Sequence, residues 1–243
     1  MNYTTYNIQY TTYIMMKDLS PLEKSLGVDF KNKDLLLQAL THRSYINENP
    51  KFYLNHNERL EFLGDAVLEL AVTEYLYQKY ENPEGDLTSW RASLVNSKML
   101  SRIAHDIGIN DFLLLSRGEA KDTGRAREYI LANATEAAIG AIYLDSGFSA
   151  AEEFVKSHII SKLPEIIDKE LYRDPKSRFQ EEAQDRVGIT PTYEVLDEWG
   201  PDHSKNFVIG VFLGKEMVAK GEGNSKQEGQ EKAAEKALEE KGW

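Results

Sequence analysis

The chain has 243 residues, 41% hydrophobic and 28% charged, with a formal net charge of −11 and no cysteine. That composition is globular, not disordered. It excludes disulfides, thiolate zinc sites and cysteine nucleophiles, and no apolar run approaches the ~18 residues of a membrane span. The acidic balance argues against a polyanion partner and suits hard divalent cations.

The first stretch, MNYTTYNIQYTTYIMMK, has no positive charge before Lys17 and no apolar core. It is a poor signal peptide, and a disordered tail is expected over 1–16, with an edge strand as the alternative. Together with the missing cysteine this makes a cytoplasmic setting the expectation. YTTY occurs twice, at 3–6 and 10–13, which is too short for a structural repeat.

Hydrophobic periodicity then predicts an all-α domain over 17–170. Its helices are expected at Asp29–Leu40, Asn57–Tyr80, Thr88–Ile107, Ile130–Asp145 and Ala150–Ile167, separated by turns such as ENPEGD and DSGF. The pattern changes at a linker over 171–175. A helix is expected over Pro175–Arg186, with the proline in its first turn. Alternating strands follow at 192–198, 206–213 and 215–221, the last two joined at Gly214, and then a helix over Lys226–Lys241. The order α-β-β-β-α over 174–243 predicts a small α+β domain with both helices on one face of a sheet.

The segment NERLEFLGDAVL (57–68) carries the strongest chemical signal. On a helix, Glu58, Glu61 and Asp65 fall within about 60° of one another. Leu60, Leu63, Val67, Leu70 and Ala71 gather on the other side. Like charges at this spacing cost helix stability, so the stripe is either a solvated face or a ligand set. Gly64 in mid-helix costs roughly 1 kcal/mol against alanine, which close approach of another backbone would explain. A second segment, ILANATEAAIG (130–140), places Asn133 and Glu136 on one face of an alanine-rich helix. Packed face to face, the two would converge oxygen donors of the kind Mg²⁺ takes. The five histidines show no metal-binding spacing, and His42 and Arg43 in THRS read as structural.

NERLEFLGDAVLE resembles the signature of the ribonuclease III family. LTHRSY (40–45), PEGDLTSWRASLV (83–95), GRAREYILA (124–132) and EAAIGAIYLDSG (136–147) resemble further blocks in the same order. The resemblance covers about residues 17–243. It implies a homodimeric endonuclease that hydrolyses double-stranded RNA with Mg²⁺, or Mn²⁺ in its place, and no organic cofactor or membrane. It further implies 5′-phosphate and 3′-hydroxyl ends with short 3′ overhangs, ribosomal precursors as usual substrates, and the signature helix along the dimer interface. The family's acids fall on Glu58, Glu61, Asp65, Glu84 and Glu136. Its remaining aspartate falls on Asn133. The resemblance implies Glu61, Asp65, Asn133 and Glu136 as metal ligands, Asp65, Glu136 and Glu58 as catalytic acids, and Glu84 as an accessory acid of the cleft.

Asn133 keeps an oxygen where the acid would place one, but loses a charge and the bidentate option. A higher Mg²⁺ requirement is therefore expected. The alternative is a double-stranded RNA-binding protein of the same fold with weakened or lost catalysis.

Residues 174–243 resemble a double-stranded RNA-binding domain through DPKSRFQEEAQ, TYEVLDEWGPDHSKNF and GEGNSKQEGQEKAAEKAL. The implied RNA contacts are Gln180, Glu181 and Gln184, then His203 and Lys205, then Ser225, Lys226 and Gln227. Ser225 with Glu228 reads as a capping box that turns helix N-terminal amides toward a phosphate. Two departures weaken this end: Gln227 stands where the family has lysine, and Gly229 where it has alanine. The domain holds 10 Lys and Arg against 15 Asp and Glu. Modest affinity and a shallow salt slope are expected of it in isolation.

Overall fold

The computed structural model describes residues 17–201 and 205–243. The 1–16 tail and His203 lie outside the described residues. The chain divides between Pro164 and Glu165 into two compact units.

The first unit is helical: α1 (Ser20–Leu26), α2 (Lys33–Ala39), α3 (Arg43–Glu48), α4 (Glu58–Lys79), α5 (Glu84–Val95), α6 (Ser97–Asp106), α7 (Arg125–Ser146) and α8 (Phe148–His158). The division falls inside α9 (Leu163–Asp168). α7 is the centre of the unit, packed by α2, α4, α6 and α8. Its residues from Ile130 to Ile142 are buried apart from Asn133 and Glu136, which are partly exposed. A helix covered on so many sides needs small side chains, which its alanine content supplies.

Several expectations need correction. Thr88–Ile107 is two helices. Asn96 is extended (φ −73°, ψ 158°), and its Oδ1 accepts from the Met99 amide at 2.9 Å, capping α6. The apolar stripe runs through this break, so periodicity alone does not show it. Ala150–Ile167 is interrupted after His158, and the chain resumes as α9 with Pro164 in its first turn. Periodicity does not predict α1 or α3. The first has Pro21 at its start and Gly27 at φ 70° at its end, both readable signals. The second spans 6 residues, too few to show a period. Leu70, expected on the buried side of α4, is 56% exposed.

The second unit contains α10 (Pro175–Val187), β1 (Thr192–Trp199), β2 (Asn206–Leu213), β3 (Glu216–Gly223) and α11 (Lys226–Lys241). The sheet is antiparallel in the order β1-β2-β3. Phe179 and Ala183 of α10 and Ala233, Ala234, Ala237 and Leu238 of α11 share one core with Val211, Leu213 and Ala219. Both helices therefore cover the same sheet face. Gly229 does not loosen α11. A Cβ there would meet Ile209 Cγ1 at 2.5 Å, and one on Gly221 would meet the Gly229 carbonyl oxygen at 2.5 Å. Helix and strand touch through glycines, and an alanine at 229 would push them apart.

Candidate active site and RNA-binding face

The site begins with a helix crossing. A Cβ on Gly64 of α4 would stand 1.7 Å from the Glu136 carbonyl oxygen, and one on Gly140 of α7 would stand 2.3 Å from that of Leu60. Backbone lies on backbone, which only a glycine on each helix permits. The expected role of Gly64 is thereby explained, and Gly140 is its counterpart. The contact brings the polar edges of both helices together: Glu61 and Asp65 from α4, Asn133 and Glu136 from α7.

The groups sense each other. Burial lifts the Glu61 carboxyl above its ordinary range and the charge of Glu58 adds to this; a hydrogen bond from Asn133 pulls it back, and Asp65 raises it further. Glu136 is pushed up to about 7, first by burial and then by Asp65, Glu61 and Glu69. Such coupled carboxyls on one cleft mark a functional-site candidate. Glu69 is missing from the acids that the sequence singles out, although it follows Asp65 by four residues and so shares its face. Its Oε2 is paired with Arg91 Nε of α5 at 3.0 Å.

Glu58 lies at the edge. Its carboxylate pairs with Arg43 Nη1 at 3.0 Å and stands 3.8 Å from His56 Nδ1. His42 is structural: its Nδ1 accepts from the Ser44 amide at 3.3 Å and caps α3. Glu84 is exposed in the first turn of α5, two turns before Arg91 on the same helix face. α5 packs on α4 with Arg91 against Glu69 and Thr73. The charges that act on Glu61 and Glu136 come from Glu58, Asp65, Glu61 and Glu69, and Glu84 stands as an accessory acid on the resemblance alone.

Among the described residues, no three His, Cys, Asp or Glu side chains stand close enough to hold a metal ion. The donor set nevertheless suits a hard cation: three carboxylates and one amide oxygen, with Glu136 and Glu61 raised by burial and by the repulsion of neighbouring carboxylates. A bound cation would relieve that repulsion.

On the second unit, Gln180, Glu181 and Gln184 line the exposed side of α10. Glu181 is paired with Arg173, and Gln184 Nε2 donates to Thr190 Oγ1 at 3.2 Å. Ser225 Oγ accepts from the Glu228 amide at 3.1 Å. Glu228 returns its carboxylate to the Asn224 amide at 2.9 Å, one residue before the cap. Lys226 lies over the Phe207 ring at 5.7 Å, Gln227 Nε2 donates to Glu231 at 2.9 Å, and Lys205 is 3.5 Å from Glu198. A Lys176–Gln230 hydrogen bond of 2.6 Å ties the start of α10 to α11, so the two helix segments share one side of the unit.

Two family models match the chain: Ribonuclease-III-like over residues 32–163 and double-stranded RNA binding motif over 175–241. Ribonuclease 3 of Campylobacter jejuni is 44% identical over 228 residues, covering 93% of this chain and 99% of the relative. Ribonuclease 3 of Carboxydothermus hydrogenoformans is 45% identical, covering 92% and 95%. The solved nuclease domain of the Campylobacter jejuni enzyme superposes with a TM-score of 0.55 at 44% identity, covering 60% of this chain and 99% of that one. Among the described residues no helix is long and apolar enough to cross a membrane. With the fold order, the glycine crossing and these matches together, the chain belongs to the ribonuclease III family of endoribonucleases, a helical nuclease domain followed by a double-stranded RNA-binding domain.

Proposed function

We propose that this chain is a Mg²⁺-dependent endonuclease that hydrolyses double-stranded RNA to 5′-phosphate and 3′-hydroxyl ends with short 3′ overhangs. The observation that carries the reading is the carboxyl group of Glu136, held near neutrality by burial and by Asp65, Glu61 and Glu69 at the glycine crossing. Mg²⁺ held by Glu61, Asp65, Glu136 and the Asn133 oxygen would supply charge stabilisation at the phosphate and lower the pKa of a water. The reaction bonds a water oxygen to phosphorus as the P–O3′ bond breaks. One proton leaves the water and one reaches the 3′-oxygen. Asn133 fixes Glu61 through its amide donor, and Arg43 holds Glu58 at the edge.

The chain works as a homodimer in this reading. Phe62, Leu70 and Tyr77 on one side of α4 are 82%, 56% and 79% exposed. Large apolar side chains in a row on one helix fit a self-complementary interface. In the Campylobacter jejuni nuclease domain, structural flexibility is described in a region involved in dimer formation of that protein. Ribosomal RNA precursors in the cytoplasm are the substrates this reading favours.

The test is cleavage of a long RNA duplex with Mg²⁺ and with chelator. Metal-dependent cutting that Glu136→Gln abolishes while RNA binding persists supports the enzyme. Binding without cutting at any Mg²⁺ or Mn²⁺ concentration would instead establish an RNA-binding protein disabled at Asn133.

A further inference from the structure

Glu69 stands one turn after Asp65 on α4, about 6 Å further along the axis and on the same face. Its charge reaches Glu136. It is engaged from the other side: Arg91 places Nε 3.0 Å from Glu69 Oε2 and donates from Nη1 to Thr73 Oγ1 at 2.9 Å. One planar guanidinium therefore grips two successive turns of α4 from α5, a geometry that a lysine cannot reproduce. Both side chains are more than a third exposed, so the pair adds little to stability. Its position at the rim of a carboxylate cluster gives it a different consequence, because it decides how much negative charge the cluster holds.

We propose that Arg91 is a positioning residue that holds Glu69 out of the carboxylate site and neutralises it, thereby setting the site's affinity for divalent cations; this rests on the metal-site reading above. The two residues then have opposite effects. Glu69→Gln leaves the Arg91 charge beside the site and weakens cation binding. Arg91→Gln leaves the Glu69 charge beside it and strengthens cation binding. Removing both restores the parent's balance.

The experiment is Mn²⁺ binding to the full chain, with the metal alone and no RNA, read from the paramagnetic resonance of the free ion. Glu69→Gln should weaken binding about threefold to tenfold, as one unit charge at this range does at moderate salt. Arg91→Gln should tighten binding by a similar factor, and the double variant should return to within about twofold of the parent. Arg91→Lys keeps the charge but cannot grip both turns, so it should tighten binding by less than Arg91→Gln does; a shift in that direction, with the opposite shift of Glu69→Gln, decides the matter if Arg91→Gln does not fold. A purely structural clamp would shift both single variants the same way and leave the double variant shifted like either. That pattern, or no shift in any variant while the parent binds Mn²⁺, overturns the proposal. A parent chain that binds no Mn²⁺ overturns the metal-site reading itself, and this inference with it.

Discussion

The two units are both acidic: residues 165–243 hold 12 Lys and Arg against 18 Asp and Glu, and residues 1–164 hold 17 against 22. They use that charge in opposite ways. In the helical unit, Glu61, Asp65 and Glu136 face each other across a backbone contact, while arginines pair with the flanking Glu58 and Glu69. In the second unit several acids carry basic partners: Glu170 and Glu181 with Arg173, Glu182 with Arg186, Glu198 with Lys205, Glu228 with Lys232 and Glu216 with Lys241. Net charge therefore says little about partners. Repulsion retained at one place is a cation site in waiting, whereas the same excess spread over ion pairs is a screened surface.

The largest expected effect comes from separating the units by their glycines. Gly64→Ala puts a methyl 1.7 Å from the Glu136 carbonyl oxygen, so α4 and α7 must part. We expect a loss of about 3 kcal/mol or more, read as a fall of roughly 6–12 °C in the melting of the helical unit. Cleavage should disappear while RNA binding persists. Gly221→Ala would set a methyl 2.3 Å from the Ala233 amide and should do the reverse, losing RNA binding first. If both substitutions affect cutting and binding equally, the two units do not divide catalysis and binding between them.

Glu136→Gln tests the retained repulsion. The carboxyl is raised to about 7 in the folded chain, so folding favours its protonated form. Its contribution to stability is fully present below the ordinary carboxylate range and is lost as pH rises through 7. In chelator, the glutamine variant should melt close to the parent near pH 4.5 and above it near pH 8. Added Mg²⁺ should narrow the gap at pH 8 by stabilising the parent. A gap independent of pH would show that Glu136 is not held by charge. Cutting should fall at least about a hundredfold.

Asn133→Asp sharpens the same point by a smaller step. It restores a charge and removes the amide that donates to Glu61. Half-maximal cutting should need several-fold less Mg²⁺, about threefold to tenfold, and the metal-free chain should melt lower. An unchanged metal requirement would mean that the amide oxygen does all an acid would do there.

Much of the fold and of the site is legible in the sequence, and the exceptions share a cause. Period-3.6 patterns locate α4, α7 and α11 because each repeats apolar residues at helical spacing. The crossing is legible from Gly64, since a mid-helix glycine costs stability that only a close contact offsets. The split of Thr88–Ile107 is hidden because Asn96 caps a new helix without interrupting the apolar stripe. Leu70 is misplaced because a helix with a second apolar side has no single buried face, and Phe62, Leu70 and Tyr77 form that second side. Gly229 looks like a helix defect because the strand it admits lies eight or more residues away in sequence. Glu84 joins the other acids by resemblance alone, and a chain-order reading has no means of measuring its distance from Asp65.

The smallest effects concern the screened surface. Lys205 and Lys232 lie 3.5 and 2.8 Å from Glu198 and Glu228. A lysine that turns from a carboxylate to a phosphate leaves the carboxylate to recruit a cation, which offsets the counterion release that normally drives binding. A fragment beginning near Glu165, whose core closes within the unit, should therefore bind duplex RNA with a log–log salt slope well short of about −5. Lys226 leans on the Phe207 ring instead of a carboxylate, so Lys226→Ala should flatten the slope by about one unit. Glu198→Gln should steepen it by up to about one unit by releasing Lys205 to a phosphate. Should Glu198→Gln leave both slope and affinity unchanged, Lys205 is not a phosphate contact, and the exposed amides of Gln180 and Gln184 carry more of the recognition.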